Sequence, residues 1–150
     1  MIRRAEASDA PQLLSLMRGL ARFEGYDVRF AVTVEALLER GFSPHHPPEF
    51  TAWVVELDDT LVGYAQIYEI PFTFDLRPTV VLKELFIDEI ARGRAFGHGL
   101  MSVVIEHARS LNARLVRWQV LPGNEPAKRF YSHHGGAVDA AWENWCIDLN

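Results

Sequence analysis

Cysteine is nearly absent: Cys146 stands alone among 150 residues. No intrachain disulfide can form, so a reducing, cytoplasmic compartment is the simple expectation. No apolar run approaches the ~20 residues that cross a bilayer, and Met1-Ile2-Arg3-Arg4-Ala5-Glu6 lacks the apolar core of a signal peptide, so no membrane partner is expected. Basic charge is also scarce, with 15 Lys and Arg against 20 Asp and Glu and a formal net charge of −5. Nucleic acid is therefore not an expected partner, because most non-specific affinity for it comes from basic surface. Metal-ligand spacing is missing too. His45-His46 and His133-His134 are adjacent pairs that point apart on a strand or helix, and neither His98 nor His107 has a Cys or His partner set, so no metal is expected. No nucleophile elbow or Ser/His/Asp order is visible. Repeats, linkers and low-complexity tracts do not occur, and the length suits one domain spanning residues 1–150.

What remains is ordinary globular usage, 49% apolar and 23% charged. Ile2 to Ala5 reads as a short strand. Ser8 and Asp9 then offer an N-cap, and Pro11 a first helical turn, before Leu13, Leu14, Met17, Leu20 and Ala21 repeat at helical spacing. Thr33 to Arg40 reads as a short helix stopped by Gly41. Phe50–Leu57 and Leu61–Ile70 are aromatic and β-branched and join through Asp58-Asp59 as a hairpin. Thr79–Ile87 is a further strand, and Leu100 to Leu111 carries a long amphipathic helix. Leu115–Leu121 reads as a strand, Glu125–His133 as a short helix, and Trp142–Leu149 as a closing strand. This order describes an α/β fold with a mixed sheet and helices on both faces, and not an alternating doubly wound one.

Between Ile87 and Leu100 lies Arg92-Gly93-Arg94-Ala95-Phe96-Gly97-His98-Gly99. A glycine-dense turn from strand into helix gathers backbone amides, and the first helical turn adds unpartnered N–H groups and about half a positive charge. Such a loop suits the phosphates of a cofactor, although it also serves as a mere tight connection.

A second segment makes the loop specific. Asn124-Glu125-Pro126-Ala127-Lys128-Arg129-Phe130-Tyr131, followed by Gly135-Gly136-Ala137, is similar to the Asn-x-x-Ala-x-x-Phe-Tyr segment of the GNAT superfamily of N-acetyltransferases. The glycine loop resembles that family's Gln/Arg-x-x-Gly-x-Gly/Ala motif, and the element order agrees over essentially the whole chain. Arg94 fits that motif letter for letter. Arg92 in the first position instead keeps the family's spacing from Ile87 and leaves Leu100 on the buried face of its helix. A two-residue shift would turn that face by roughly 200°. Arg92 is therefore preferred, and it places Ala95 where the family has its first glycine. Leu20-Ala21-Arg22-Phe23-Glu24, Leu38-Glu39-Arg40-Gly41-Phe42, Asn124-Glu125-Pro126 and Trp145 resemble the diamine (spermidine/spermine) acetyltransferase branch.

The resemblance implies a single N-acetyltransferase domain with a mostly antiparallel sheet, acetyl-CoA as cosubstrate and a small-molecule amine as acceptor. It also implies a homodimer. It assigns Leu85, Phe86 and Ile87 to the pantetheine arm, and Arg92, Gly93, Arg94, Ala95, Phe96, Gly97 and His98 to the phosphates. Asn124, Ala127 and Lys128 complete the cofactor contacts. Tyr131 becomes the acid beside the sulfur and Glu84 the base, acting through water. Phe23, Glu24, Tyr26, Asp75, Lys83 and Trp145 are the implied acceptor-pocket residues. The branch carries an acid where this chain has Lys83 and an aromatic near Arg77, which favours an amino-acid-like amine at least as much as a polyamine. Two other readings stay open: a non-catalytic acyl-CoA-binding or regulatory module, and a protein N-acetyltransferase.

Overall fold

The computed structural model describes all residues, 1–150. They form two compact units, residues 1–118 and 119–150. The first unit is built on a five-stranded sheet of β1 (Ile2–Arg4), β2 (Thr51–Leu57), β3 (Thr60–Ile70), β4 (Thr79–Ile87) and β5 (Leu115–Arg117). Their spatial order is their chain order; neighbours run antiparallel except β4 and β5, which are parallel. The β2–β3 hairpin turns through Asp58 (φ 46°) and Asp59 (φ 61°), both left-handed as a tight two-residue turn requires.

Helices cover both faces of this sheet. α1 (Ala10–Glu24) buries Leu13, Leu14, Leu16, Met17, Leu20 and Ala21, and Gly25 closes it at φ 80°. With Leu37 of α2 (Val34–Phe42), this surface packs on Val54, Leu61 and Tyr64, and Phe86 lies against the same cluster. α3 (Phe96–Ser110) covers the other face with Leu100, Met101, Val104 and Ala108. There His107 meets Trp53 at 5.1 Å between ring centroids, and a Cβ on Gly99 would run into the Ile2 side chain. Each fully buried Leu or Val contributes roughly 1.5–3 kcal/mol to holding these layers together.

Strand parity then fixes which side chains look at which helix. Trp53 faces α3 and pairs with Ala65, so Ala65 and Ile67 share the α3 face while Tyr64 and Gln66 share the α1 face. Across from them the register slips. Gln66 pairs with Glu84, but Ile67 pairs with Leu82, leaving Lys83 as the extra residue of a β-bulge. The bulge moves Glu84 onto the α1 face, with Tyr64, Gln66 and Phe86. Without it, Glu84 would share the face of Leu82.

β4 has a partner on its second edge only over Thr79–Val81, opposite Leu115–Arg117. From Leu82 to Ile87 no strand pairs with that edge. β5 is three residues long and does not reach Leu121; its ladder with β4 ends at the Val81–Arg117 pair, although β4 itself runs on to Ile87. α2 also differs from expectation: Gly41 does not stop it but lies inside it, where a Cβ would collide with the Phe50 ring.

In the second unit, α4 (Glu125–His133) is capped by Asn124, whose Oδ1 accepts the Ala127 N–H at 3.2 Å. The chain leaves this helix through Gly135 at φ 81°. The expected strand over Trp142–Leu149 is not formed. Its alternating pattern suits a strand, but no ladder includes it, and Trp142, Trp145, Ile147 and Leu149 are exposed.

Candidate active site

Glu84 is the best-placed ionisable group on the α1 face. It is partly buried, and burial pushes its carboxyl above the usual carboxylate range. The hydroxyl of Tyr64 donates to Glu84 Oε2 at 2.9 Å and, with the nearby Lys83 ammonium, offsets part of that rise. Glu24 pushes it up again. Tyr64 is itself wholly buried, and its phenol is held far from ionising by burial first and by Glu84 second. A fixed phenol thus clamps one oxygen of the carboxylate and leaves the other to act.

The C-terminal end of α1 supplies the surroundings. Glu24 is exposed on the last turn, and Tyr26 follows Gly25 with its hydroxyl pKa raised by burial and then by the fields of Glu84 and Glu24. Phe23 is exposed, with the Arg92 guanidinium 5.6 Å from its ring centroid. Glu84, Glu24, Tyr26 and Tyr64 therefore sense one another across α1, β3 and β4. Lys83, on the bulge, is exposed beside them. This cluster is acidic and phenolic, which suits a group that arrives as a cation and must lose a proton.

After β4 the chain makes a short turn over Glu89–Ala91 and enters the glycine loop. Gly93 (φ 78°) and Ala95 (φ 61°) both adopt the left-handed region. The first intrahelical bond of α3 runs from the Gly99 N–H to the Ala95 carbonyl at 3.1 Å, so the amides ahead of Gly99 form the helix's first, positively polarised turn. Arg92 is not left as a free charge beside that turn. Its Nε donates to the Ile87 carbonyl at 3.1 Å, its Nη1 to Glu89 Oε1 at 3.4 Å, and its plane lies over Phe23 and Phe86. It braces the strand end against the tip of α1. The loop thus lies directly beyond the unpaired edge of Leu85, Phe86 and Ile87.

Other expected site residues have local partners. Asp75 Oδ1 accepts from Thr73 Oγ1 at 3.1 Å and from the Arg77 N–H at 3.2 Å, within its own loop. Arg77 donates to the Asn112 and Ala113 carbonyls, so its guanidinium ties the β3–β4 loop to the end of α3. In the second unit, Asn124 caps α4 and Lys128 Nζ binds Glu125 Oε1 at 3.1 Å. Tyr131 lies on α4 with its ring 5.2 Å from that of Phe130, and Trp145 Nε1 donates to Glu143 at 3.0 Å. Tyr64 and Gln66 escaped the reading of the sequence. The only available signal was their alternation along β3, which says nothing of a partner until the bulge is known. A separate shallow concavity bounded by Leu38, Phe42, Pro44 and His45 lies at the end of α2, outside the Glu84 cluster. No helix is long and apolar enough to cross a membrane.

Comparison with known proteins identifies the fold and the family. The chain is 24% identical over 150 residues to the N-acetyltransferase YhfO of Bacillus subtilis, covering 99% of this chain and 97% of that protein. It is 28% identical over 152 residues to the thialysine N-epsilon-acetyltransferase of Mus musculus, covering 96% and 88% of the two chains. Its fold superposes with a TM-score of 0.84 on an aminoglycoside acetyltransferase from an uncultured soil metagenomic sample, at 17% identity and with 100% and 96% of the chains covered. Residues 16–135, which hold the Glu84 cluster, the glycine loop and α4, match the acetyltransferase (GNAT) family, and the chain belongs to that family.

Proposed function

We propose that the protein moves an acetyl group from acetyl-CoA directly to a primary amine of a small molecule, with no covalent enzyme intermediate. The observation that carries this is Glu84: a carboxylate raised above its usual range, clamped by Tyr64 and set on β4 where that strand's other edge becomes unpaired. An alkyl ammonium with a pKa near ~10.4 lies about 3.4 units from neutrality at pH 7, a cost of roughly 4.6 kcal/mol. Glu84 lowers that cost by accepting the proton, directly or through water. Tyr131 is the proposed acid for the leaving sulfur; its support is the Asn124–Tyr131 segment and a phenol acidity that suits reprotonation of a thiolate.

The residues present suit acetyl-CoA, which supplies the acyl thioester when bound. The open edge of Leu85, Phe86 and Ile87 offers strand-like hydrogen bonds to its amide-bearing arm. Gly93, Arg94, Ala95, Phe96, Gly97 and His98 offer turn and helix-start amides to its phosphates. Asn124, Ala127 and Lys128 are proposed contacts on the strength of the family segment. Phe23, Glu24 and Tyr26 would bound the amine, and Lys83 would disfavour a polycation there by about 1 kcal/mol or more. A relative that bears the name thialysine acetyltransferase supports an amino-acid-like amine. With Arg77 already bound to carbonyls, Lys83 alone is left to meet a substrate carboxylate. Asp75 and Trp145 are kept as acceptor-side proposals only. A single-domain homodimer in the cytoplasm completes the proposal, supported by the diamine-branch resemblance and the lone Cys146.

Thiol release from acetyl-CoA across a panel of small amines, with mass spectrometry of the products, tests this. The expected result is one free thiol per acetylated amine, lost by 10²-fold or more in Glu84→Gln. Coenzyme A binding with no thiol release on any amine would assign a binding module instead.

A further inference from the structure

Gln66 holds an amide oxygen that is buried and has no hydrogen-bond partner. Native structures rarely leave such an acceptor unpaired. Its surroundings explain why nothing in the protein serves it. Its cross-strand partner is Glu84, which as a carboxylate can only accept. Tyr64, two residues along the same face, has already given its one proton to Glu84 Oε2. The remaining charged neighbours that act on Glu84 are Glu24, another acceptor, and Lys83, an exposed residue at the bulge. Two acceptors, Glu84 and Gln66 Oε1, thus sit opposite one another on the α1 face, and neither the Tyr26 hydroxyl nor the Lys83 ammonium, which act on the same cluster, bonds to the second.

We propose that Gln66 is a specificity-determining residue that binds the acceptor amine: Glu84 and Gln66 Oε1 each take one N–H of a primary amine. The inference rests on the amine acetyltransferase reading above and narrows its substrate class. A neutral primary amine carries two N–H bonds and one lone pair. The lone pair forms the new C–N bond as the C–S bond breaks, with the electron pair leaving on sulfur. Glu84 releases the ammonium proton to solvent water before transfer, so that one N–H proton of the neutral amine then passes to it, while the thiolate takes up a proton from the acid. The other N–H survives as the amide N–H of the product, so Gln66 stays paired from substrate to product. A secondary amine has only one N–H and leaves one of the two acceptors empty. The pair therefore selects primary over N-methylated amines by polar matching, where bulk alone would discriminate weakly.

The test compares a primary amine that the wild-type protein acetylates with its N-methyl derivative, in the wild type and in Gln66→Met, which keeps length and removes the acceptor. The wild type is expected to prefer the primary amine by tenfold or more in kcat/KM. Gln66→Met is expected to raise KM for the primary amine on the order of tenfold, the loss of one buried hydrogen bond, and to bring the preference close to unity. Its affinity for coenzyme A, read by calorimetry, should stay unchanged. Equal turnover of the two amines by the wild type would overturn the inference without any variant. An unaltered preference in Gln66→Met, or a loss confined to coenzyme A affinity, would overturn it as well. Should Gln66→Met not fold, the wild-type preference alone decides. A wild type that acetylates no amine would end the parent reading and this one together, whereas transfer without discrimination ends only this one.

Discussion

Ala95 is the one residue of the glycine loop that sits against its own stereochemistry. It adopts φ 61°, ψ 11° just before α3 begins. An L-residue in the left-handed region is strained by roughly 1–2 kcal/mol through contact of its Cβ with the following carbonyl. Glycine adopts that geometry freely but loses about 0.5–1 kcal/mol more chain entropy on folding than alanine. Ala95→Gly should therefore stabilise the protein by a net ~0.5–1 kcal/mol, which for a chain of this size raises Tm by roughly 1–4 °C. Coenzyme A affinity should hold or tighten by at most about fivefold, since the loop's amides would be set at lower strain. Gly93, at φ 78° with no side chain nearby, supplies the opposite control. Gly93→Ala should destabilise by the same net ~0.5–1 kcal/mol although it meets no steric obstacle. Thermal unfolding followed by circular dichroism, with calorimetric titration of coenzyme A, reads both. A lower Tm in Ala95→Gly, or a weaker complex with coenzyme A, would refute the reasoning.

Tyr64→Phe removes the bond that holds the Glu84 pKa down against burial, so that pKa rises further. Glu84 must be ionised to take a proton, so the rising limb of kcat/KM against pH should move to higher pH; a static or downward shift would contradict the clamp. Arg3 grips Asp9 through Nη1 at 2.7 Å and Nη2 at 2.9 Å, and it holds the nearly buried Asp9 carboxyl below its usual range. Arg3→Ala should cost about 2–4 kcal/mol in urea unfolding at neutral pH, because it leaves a buried carboxylate unpaired. That contribution is fully present above the ordinary Asp pKa and is lost as pH falls from there through the lowered pKa of folded Asp9, so the variant's stability should decline less steeply than the wild type's below about pH 4. Gly41→Ala should destabilise by about 1–3 kcal/mol by forcing the Phe50 ring aside, measured by the same unfolding.

Much of this architecture is written locally. Thr79–Ile87 and Glu125–His133 form as their patterns predict, because an apolar run ends at Asp88 and an Asn-capped, Gly-terminated segment has one good solution. The glycine loop shows its own strain in the sequence, since Ala95 stands where the family motif has glycine and the structure gives it a positive φ. What local pattern does not carry is pairing. The run from Thr79 to Ile87 contains no glycine or proline to mark the bulge at Lys83, so the face of Glu84 and its meeting with Tyr64 and Gln66 become visible only from the β3–β4 register. Pairing also decides Trp142–Leu149, whose alternation suits a strand that no neighbour completes. Arg92 was legible as a motif position but not as a brace, because its partners Ile87, Glu89, Phe23 and Phe86 come from three parts of the chain.

Amide hydrogen exchange with and without acetyl-CoA addresses the central claim most directly. The account predicts that the nucleotide slows exchange in two stretches of the first unit, residues 82–87 along the open strand edge and 93–98 at the start of the third helix. Saturating acetyl-CoA that leaves both stretches exchanging as they do alone would contradict it.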